Sequence, residues 1–562
     1  MIIGLDVGGT YADAVLLGPE GLINFVKVST DPSDLFTTVL TGLEKVTQGI
    51  DPLQIQRLVL STTLSTNAIV QKQMPPVGMI VSGGPGVDAR LYRTNDHYCV
   101  VGGSIDHRGR EIEPVNAGEI RKIAETFKKE GLARVGVVGK FSVRNPSHEL
   151  KIAEILGDRF EKVFLGHRVS GNLNFPRRIA TAFLNAAVYP IHKNFFEAVK
   201  KSLEKKGLNV PIHILKADGG TMRFESSMDF PGQTILSGPA ASVMGAIAFA
   251  SPETESLVLD IGGTTTDMAV LLNQVPLLNP LGITLDCHKT LIRSLETHSI
   301  GLGGDSAVRV KDGRIVIGPD RMGPAMAYGG STPTPTDALF VLGKTSNGDR
   351  EKAVQGIESI AGALGIDPEQ AACRIFDAAC TQILSEAREM IRRINSKPVY
   401  TVRELWEGTC VKPTEMLILG GPAQYFAEHF REISDYQVRV VPHWGVANAV
   451  GAALARTTCE VALLVDTEQG IATAPEEGIS ERVGRNFSRD DALQKAFELL
   501  RKKALEKGAD PEELEMEVIE DLQFNMVQGF YTTGKNIRVK VQVQPGLIRG
   551  FSQGVQHAAS QA

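Results

Sequence analysis

Short apolar runs that end in glycine or aspartate, separated by longer segments of helical period, organise this chain. Two of them are near copies. Ile2-Ile3-Gly4-Leu5-Asp6-Val7-Gly8-Gly9-Thr10-Tyr11-Ala12-Asp13 is matched by Leu257-Val258-Leu259-Asp260-Ile261-Gly262-Gly263-Thr264-Thr265-Thr266-Asp267. Each runs into a second apolar stretch, Ala14 to Leu17 and Met268 to Leu272, and so predicts a β-hairpin with a Gly-Gly-Thr turn at its tip. Their separation of roughly half a chain predicts two similar domains in tandem rather than a short solenoid repeat.

After the first hairpin the pattern predicts a helix near Leu35 to Val46 and a strand at Arg57 to Leu60. A Ser/Thr-rich turn, Ser61-Thr62-Thr63-Leu64-Ser65-Thr66-Asn67, then opens another helix. Gly83 to Glu113 is glycine-rich and poor in period, which reads as an inserted substrate-side segment. The α/β alternation is expected to resume at Val135 to Val138 and to continue through a long helix, Pro176 to Lys206, and a strand, Ile212 to Ala217, ending in Asp218-Gly219-Gly220-Thr221. Leu236 to Ala246 is a helix start rich in small residues, with Ser237 as candidate N-cap.

In the second half Gly301 to Gly330 is again glycine-rich, Gln355 to Asn395 reads as helices, and the strand Met416 to Leu419 ends in Gly420-Gly421-Pro422-Ala423. Gly445 to Ala455 mirrors the small-residue helix. Beyond Ser480 a charged amphipathic helix, Asp490 to Lys507, precedes alternating stretches at Leu514 to Phe524 and Ile537 to Val543. The expected domains are 1–235 with an insertion at about 83–133, 236–479 with an insertion at about 280–350, and an α+β tail over 480–562.

Composition narrows the function. The 562 residues are 43% hydrophobic and 22% charged, which suits a globular protein too long for one domain. A net charge of -6 disfavours a nucleic-acid backbone reader, which needs clustered Lys and Arg. Six scattered cysteines without a CxxC argue for a reducing compartment, and Cys373 and Cys380 are expected to be buried small hydrophobes rather than a metal or redox pair. The N-terminus has no basic leader and no stretch reaches the roughly 20 apolar residues of a membrane span, so a cytoplasmic protein without membrane contact is expected.

Two acidic-ended Gly-Gly-Thr hairpins facing each other suit a polyphosphate clamp. Glycines allow close backbone approach, successive N–H groups and Thr hydroxyls hold phosphate oxygens, and a strand-end aspartate, Asp6 or Asp260, can hold Mg²⁺ directly or through water. A single such turn serves geometry alone as readily; the pair is the stronger signal. Gly420-Gly421 supplies a third turn, where a nucleoside could lie flat against backbone.

Together, the two phosphate loops, the Gly-Gly loop and the two small-residue helices resemble the actin, hexokinase and heat-shock chaperone superfamily, whose paired ribonuclease-H-like domains close around MgATP. Within it, six blocks resemble the hydantoinase A and 5-oxoprolinase family in that family's order: Asp6 to Asp13, Ser61 to Ala68, Leu236 to Ala240, Asp260 to Asp267, His298 to Gly304 and Thr334 to Ala338. The resemblance implies an ATP-dependent enzyme that activates a cyclic amide, imide or ketone by phosphoryl transfer for ring hydrolysis or carboxylation, often with a separate hydantoinase B-type subunit in a homo- or hetero-oligomer. It implies a first phosphate loop of Asp6, Gly8, Gly9, Thr10, Tyr11 and Asp13, a second of Asp260, Gly262, Gly263, Thr264, Thr265 and Asp267, and a nucleoside loop of Gly420, Gly421 and Pro422. Departures are Ala12 in place of Thr, Asp305 after Gly304 where Gly then Ser is common, Asp218 in place of Asn, and an unfamiliar tail after Ser480.

Other residues have two readings each. Asp218, ahead of Gly-Gly-Thr at a strand end, is expected exposed at the cleft as a base or water-positioning group, or else is an ordinary turn residue. Thr63, Asn67, His298, Gly303 and Gly304 are substrate-side candidates; His298, with Glu296, reads rather more readily as a capping or packing residue. Asp286-Cys287-His288 is discounted as a metal site because adjacent residues rarely converge on one ion, and Lys502-Lys503 reads as a solvated helix face. A small-molecule kinase and a non-enzymatic ATP-gated switch acting on a protein partner are the competing functions.

Overall fold

The computed structural model describes residues 1–9, 11–31, 33–279, 281–396 and 410–551. Both hairpins form, and each is the centre of a six-stranded mixed sheet. In the first, the strands run Thr221–Arg223, Ile212–Leu215, Arg57–Thr62, Ile2–Val7, Tyr11–Gly18 and Gly21–Ser29. In the second they run Val275–Pro276, Thr266–Leu272, Glu255–Ile261, Glu415–Leu419 and Gln437–Val440, with Thr297–Ile300 also paired to Thr266–Leu272. Each hairpin is antiparallel, and its first strand pairs in parallel with the strand that follows in the sheet, Arg57–Thr62 or Glu415–Leu419. Those parallel strands are almost wholly buried, which is why they read as unbroken apolar runs instead of alternating ones.

A layer of two helices, Ser237–Ile247 and Ala447–Leu454, lies between the sheets and shares one apolar core with both: Val15, Leu17, Val258, Leu271 and Leu417 pack with Ala241, Met244 and Val450. Its small residues are a steric requirement. A Cβ on Gly4 would lie 2.2 Å from the Ala449 carbonyl oxygen, and one on Gly451 would lie 2.2 Å from that of Ala241. Ser237 does not cap its helix as expected; Leu236, at φ 65°, takes the cap position, and the Ser237 hydroxyl donates to the Thr62 carbonyl, tying the helix to the first sheet.

Two expectations about organisation are corrected. Arg134–Gly139 does not resume the first sheet but pairs with Gly78–Ser82 and Lys162–Leu165 in a separate four-stranded parallel sheet that also takes in Tyr98–Val101. Hydrophobic periodicity cannot say which sheet a buried strand joins. Here the alternate residues Ile80, Val135 and Val137 face Ile120 and Ile152, while Met79, Val81 and Val138 face Ile179 and Phe183 of the 32-residue helix Phe175–Lys206. The C-terminal unit starts well before Ser480: Glu460–Asp466 pairs with Tyr531–Val543 at the centre of a five-stranded antiparallel sheet covered by the helix Arg489–Glu506. Residues 552–562 of the expected tail lie outside the described residues.

Candidate functional site

The two hairpin tips have the same build. Asp6 is the cross-strand partner of Asp13, and Asp260 of Asp267; the Gly8 amide donates to the Tyr11 carbonyl at 3.0 Å and the Gly262 amide to the Thr265 carbonyl at 2.9 Å. Gly9, Tyr11, Thr264 and Thr265 are exposed at the tips, whereas Thr10 lies outside the described residues. Each tip therefore exposes its turn beyond a pair of carboxylates.

Those carboxylates repel one another. Burial, then Asp13 and Asp260, push Asp6 up to about 6, against the Ser61 hydroxyl and the Asn448 amide, which favour its charged form. Burial and then Asp260 push Asp267 up to about 7, with the Ser299 hydroxyl donating to it. Asp260 is raised by burial against the Ser242 hydroxyl, which donates to its Oδ2, and the same Asn448 amide; Asp13 is raised by burial against Lys27, whose Nζ is 2.7 Å away. Asp6 Oδ1 is buried without a hydrogen-bond partner. Four carboxylates held above their usual range, one with an orphaned oxygen, fit a divalent cation. Among the described residues no group of three or more His, Cys, Asp or Glu is placed to hold a metal ion by itself.

Three loops back the tips. The Gly304 and Asp305 amides donate to the carbonyls of Gly262 and Gly263 at 2.9 and 2.7 Å, and a Cβ on Gly303 would lie 2.5 Å from the Gly262 carbonyl oxygen. Gly303 and Gly304 thus brace the second tip, and Asp305 is engaged by Arg321 at 2.9 Å. The Thr63 amide donates to the Val7 carbonyl, and Asn67 lies beside Gly9, so this pair stands behind the first tip. Gly420, at φ 96°, runs so close under Asp260 that a Cβ would meet its Oδ1 at 2.7 Å, while the space at Gly421 is open and Pro422 precedes the helix Ala423–Ile433.

Asp218 departs from its expected setting. It is 3% exposed, not open to a cleft, and its carboxylate is held by Lys216 Nζ at 3.0 Å, Arg293 Nε at 3.4 Å, the Gly220 amide and the Thr458 hydroxyl. Burial raises its pKa, but Lys216 and Arg293 outweigh burial and the net shift is downward, which makes a poor proton acceptor. The reason is that Thr221, at the edge of the first sheet, pairs with Thr457 and accepts from the Thr458 amide, so the segment leading into the C-terminal unit covers the strand end. His298 turns to Glu386, 3.2 Å away on the helix Pro368–Asn395, and it is its neighbour Ser299 that reaches Asp267. His288 packs on Phe183 with ring centres 5.2 Å apart. Cys380 is buried as expected, but Cys373 is exposed.

Sequence reasoning missed Asn448, Ser242, Ser61 and Lys27. The first two carry a signal: each is a polar residue in an otherwise small, apolar helix, where burial demands a partner.

A family model described as Hydantoinase/oxoprolinase matches residues 178–461, and one described as the Hydantoinase/oxoprolinase N-terminal region matches residues 2–160. The chain is similar to caprolactamase subunit alpha of Pseudomonas jessenii, 25% identical over 448 residues that make up 72% of this chain and 64% of the relative. It is also similar to the acetophenone carboxylase gamma subunit of Aromatoleum aromaticum, 27% identical over 66% of this chain and 58% of the relative. It thus spans somewhat less than two thirds of either. Among solved structures, nucleotide-free acetone carboxylase superposes with a TM-score of 0.72 at 18% identity, over 98% of this chain and 88% of its own, and so shares the mixed α/β fold.

Proposed function

The chain belongs to the hydantoinase/oxoprolinase family, and from that premise we propose that it is an ATP-dependent amidohydrolase of the hydantoinase/5-oxoprolinase type. It activates a cyclic amide, imide or related carbonyl by phosphoryl transfer, for ring hydrolysis or carboxylation. The observation that carries this reading is the pair of like-built hairpins whose carboxylates are held above their usual range with an oxygen of Asp6 unsatisfied.

In this reading two ribonuclease-H-like domains, built on the two six-stranded sheets within residues 1–235 and 236–458, flank a nucleotide cleft; the four-stranded sheet interrupts the first, and a C-terminal unit follows from about residue 459. Gly8, Gly9, Thr10 and Tyr11 on one side and Gly262, Gly263, Thr264 and Thr265 on the other offer amides and hydroxyls to the phosphates. Asp6 and Asp260 hold Mg²⁺, directly or through water, and the ion when bound neutralises charge on the phosphates. Asp13 and Asp267 add to the negative field that draws the cation in, and Asn448 and Ser242 keep the inner carboxylates ionised and oriented. Gly420, Gly421 and Pro422 give the nucleoside a flat bed. Asp218 drops out as a base and holds the first sheet to the C-terminal unit instead.

A second, hydantoinase B-type subunit is part of the proposal. It is supported by the subunit names of both relatives and by an exposed ribbon: the edge strand Met516–Gln528 and its turn leave Phe524 60% and Phe530 100% exposed. No helix among the described residues is long and apolar enough to cross a membrane, and a cytoplasmic setting completes the reading. The test is phosphate release from ATP with a panel of lactams, hydantoins and ketones, with and without the co-purifying subunit. Turnover that requires one of these substrates supports the proposal. Accumulation of a stable phosphorylated product would make the protein a kinase, and turnover driven by the partner alone would make it a switch.

A further inference from the structure

Where the helix Arg489–Glu506 meets the first sheet it closes a cavity of about 50 Å³, lined among others by Lys216, Asp218, Phe230, Arg293 and Lys507. Lys502 is exposed, as expected of a solvated helix face, but Lys503 beside it is tied to Glu476 and Glu477, and Lys507 is 8% exposed.

The charges around the cavity do not balance. Asp218 is taken by Lys216 and Arg293, Glu460 by Arg293 at 3.0 Å and Lys540 at 2.8 Å, and Glu476 and Glu477 by Lys503. Four cations, Lys216, Arg293, Lys503 and Lys507, thus line the cavity with three carboxylates, Asp218, Glu460 and Glu476, and the one in no ion pair among the described residues is Lys507, whose Nζ lies 4.9 Å from the centre of the Phe230 ring. Arg293 Nη2 is buried without a hydrogen-bond acceptor. The ring face attracts an ammonium but accepts none of its hydrogen bonds in full, and a buried cation without an anion is costly. Burial, then Lys503 and Lys216, push the Lys507 amine down only to about 8, so it stays mostly charged at neutral pH.

We propose that this cavity binds a small oxyanion, of the carboxylate, bicarbonate or phosphate class, between Lys507 Nζ and Arg293 Nη2. The size agrees: a water needs roughly 10–15 Å³ of such volume, so the cavity holds a few waters or one anion of four or five heavy atoms. None of its lining residues belongs to the hairpin tips, so the site stands or falls separately from the nucleotide reading.

The test is the thermal midpoint of the full chain at fixed ionic strength as chloride is exchanged for acetate, bicarbonate or inorganic phosphate. A ligand bound only by the folded state raises the midpoint, so at least one of the three is expected to raise it by a few degrees over chloride, and which one does identifies the source. Lys507→Met is expected to abolish that rise while leaving the anion-free midpoint equal to or above wild type, because it removes an unpaired buried charge. Lys507→Arg is expected to retain the rise. No anion exceeding chloride with the wild-type chain would overturn the proposal, as would an unchanged response in Lys507→Met; should Lys507→Met fail to fold, the wild-type titration and the Lys507→Arg response decide.

Discussion

Gly245 and Gly451 meet backbone to backbone: a Cβ on Gly451 would lie 2.3 Å from the Gly245 amide nitrogen. The two glycines mark the crossing of the small-residue helices, and one turn before each stands the polar residue that reaches the carboxylates, Ser242 and Asn448. The crossing therefore sets the distance between the hairpins as well as holding the core.

Gly451→Ala is expected to force the helices apart. Overpacking of this kind costs about 1–3 kcal/mol, so the thermal midpoint should fall by several degrees. ATP affinity should fall as well, since Asn448 moves with the helix. A midpoint within a degree of wild type would show that the crossing is looser than the backbone contact implies.

The adjacent glycines of the nucleoside loop should separate folding from binding. Gly420, at φ 96° with the Ile261 carbonyl oxygen 2.2 Å from its would-be Cβ, cannot carry a side chain without disturbing the strand end beneath Asp260. Gly421 faces open space. Gly421→Val should therefore keep the nucleotide-free midpoint and lose ATP binding, whereas Gly420→Ala should lower the midpoint itself. Unchanged ATP affinity in Gly421→Val, measured by calorimetry, would mean the loop is only a turn.

What the sequence revealed follows from what is local. The hairpins, the glycine turns and the helix Leu35–Val46 were legible because each is specified within a dozen residues by period and turn chemistry. Sheet membership was not, since Arg134–Gly139 is apolar on both faces whichever sheet it joins. The setting of Asp218 was hidden because its partners Arg293 and Thr458 are remote in sequence. Asn448, too, shows its role only once the helix is laid against both hairpins.

The raised carboxylates give a signed pH dependence. Asp6 and Asp267 titrate near 6 and 7 when folded against 3.8 in the unfolded chain, so between those values the folded state binds more protons. Their contribution to stability is present below about pH 4 and is lost as pH rises through 6 to 7. A divalent cation held by Asp6 needs that carboxylate ionised and draws a proton off Asp267 beside it, so nucleotide binding with Mg²⁺ should release protons in that range and weaken as pH falls from 7 to 5. Calorimetry in buffers of different ionisation enthalpy measures the release directly; proton uptake, or none, at pH 6.5 would contradict the assignment.

The most direct test of the account is the affinity for ATP with magnesium and with chelator, in the wild-type chain and in Asp6→Asn with Asp260→Asn. If the hairpins meet across a triphosphate, their aspartates repel it unless a cation lies between, so removing Mg²⁺ should weaken wild-type binding by about tenfold or more. In the doubly substituted chain the repulsion is gone, and the two affinities should converge while the nucleotide-free midpoint holds or rises. Equal wild-type affinity with and without magnesium would contradict the claim that these carboxylates form a MgATP site.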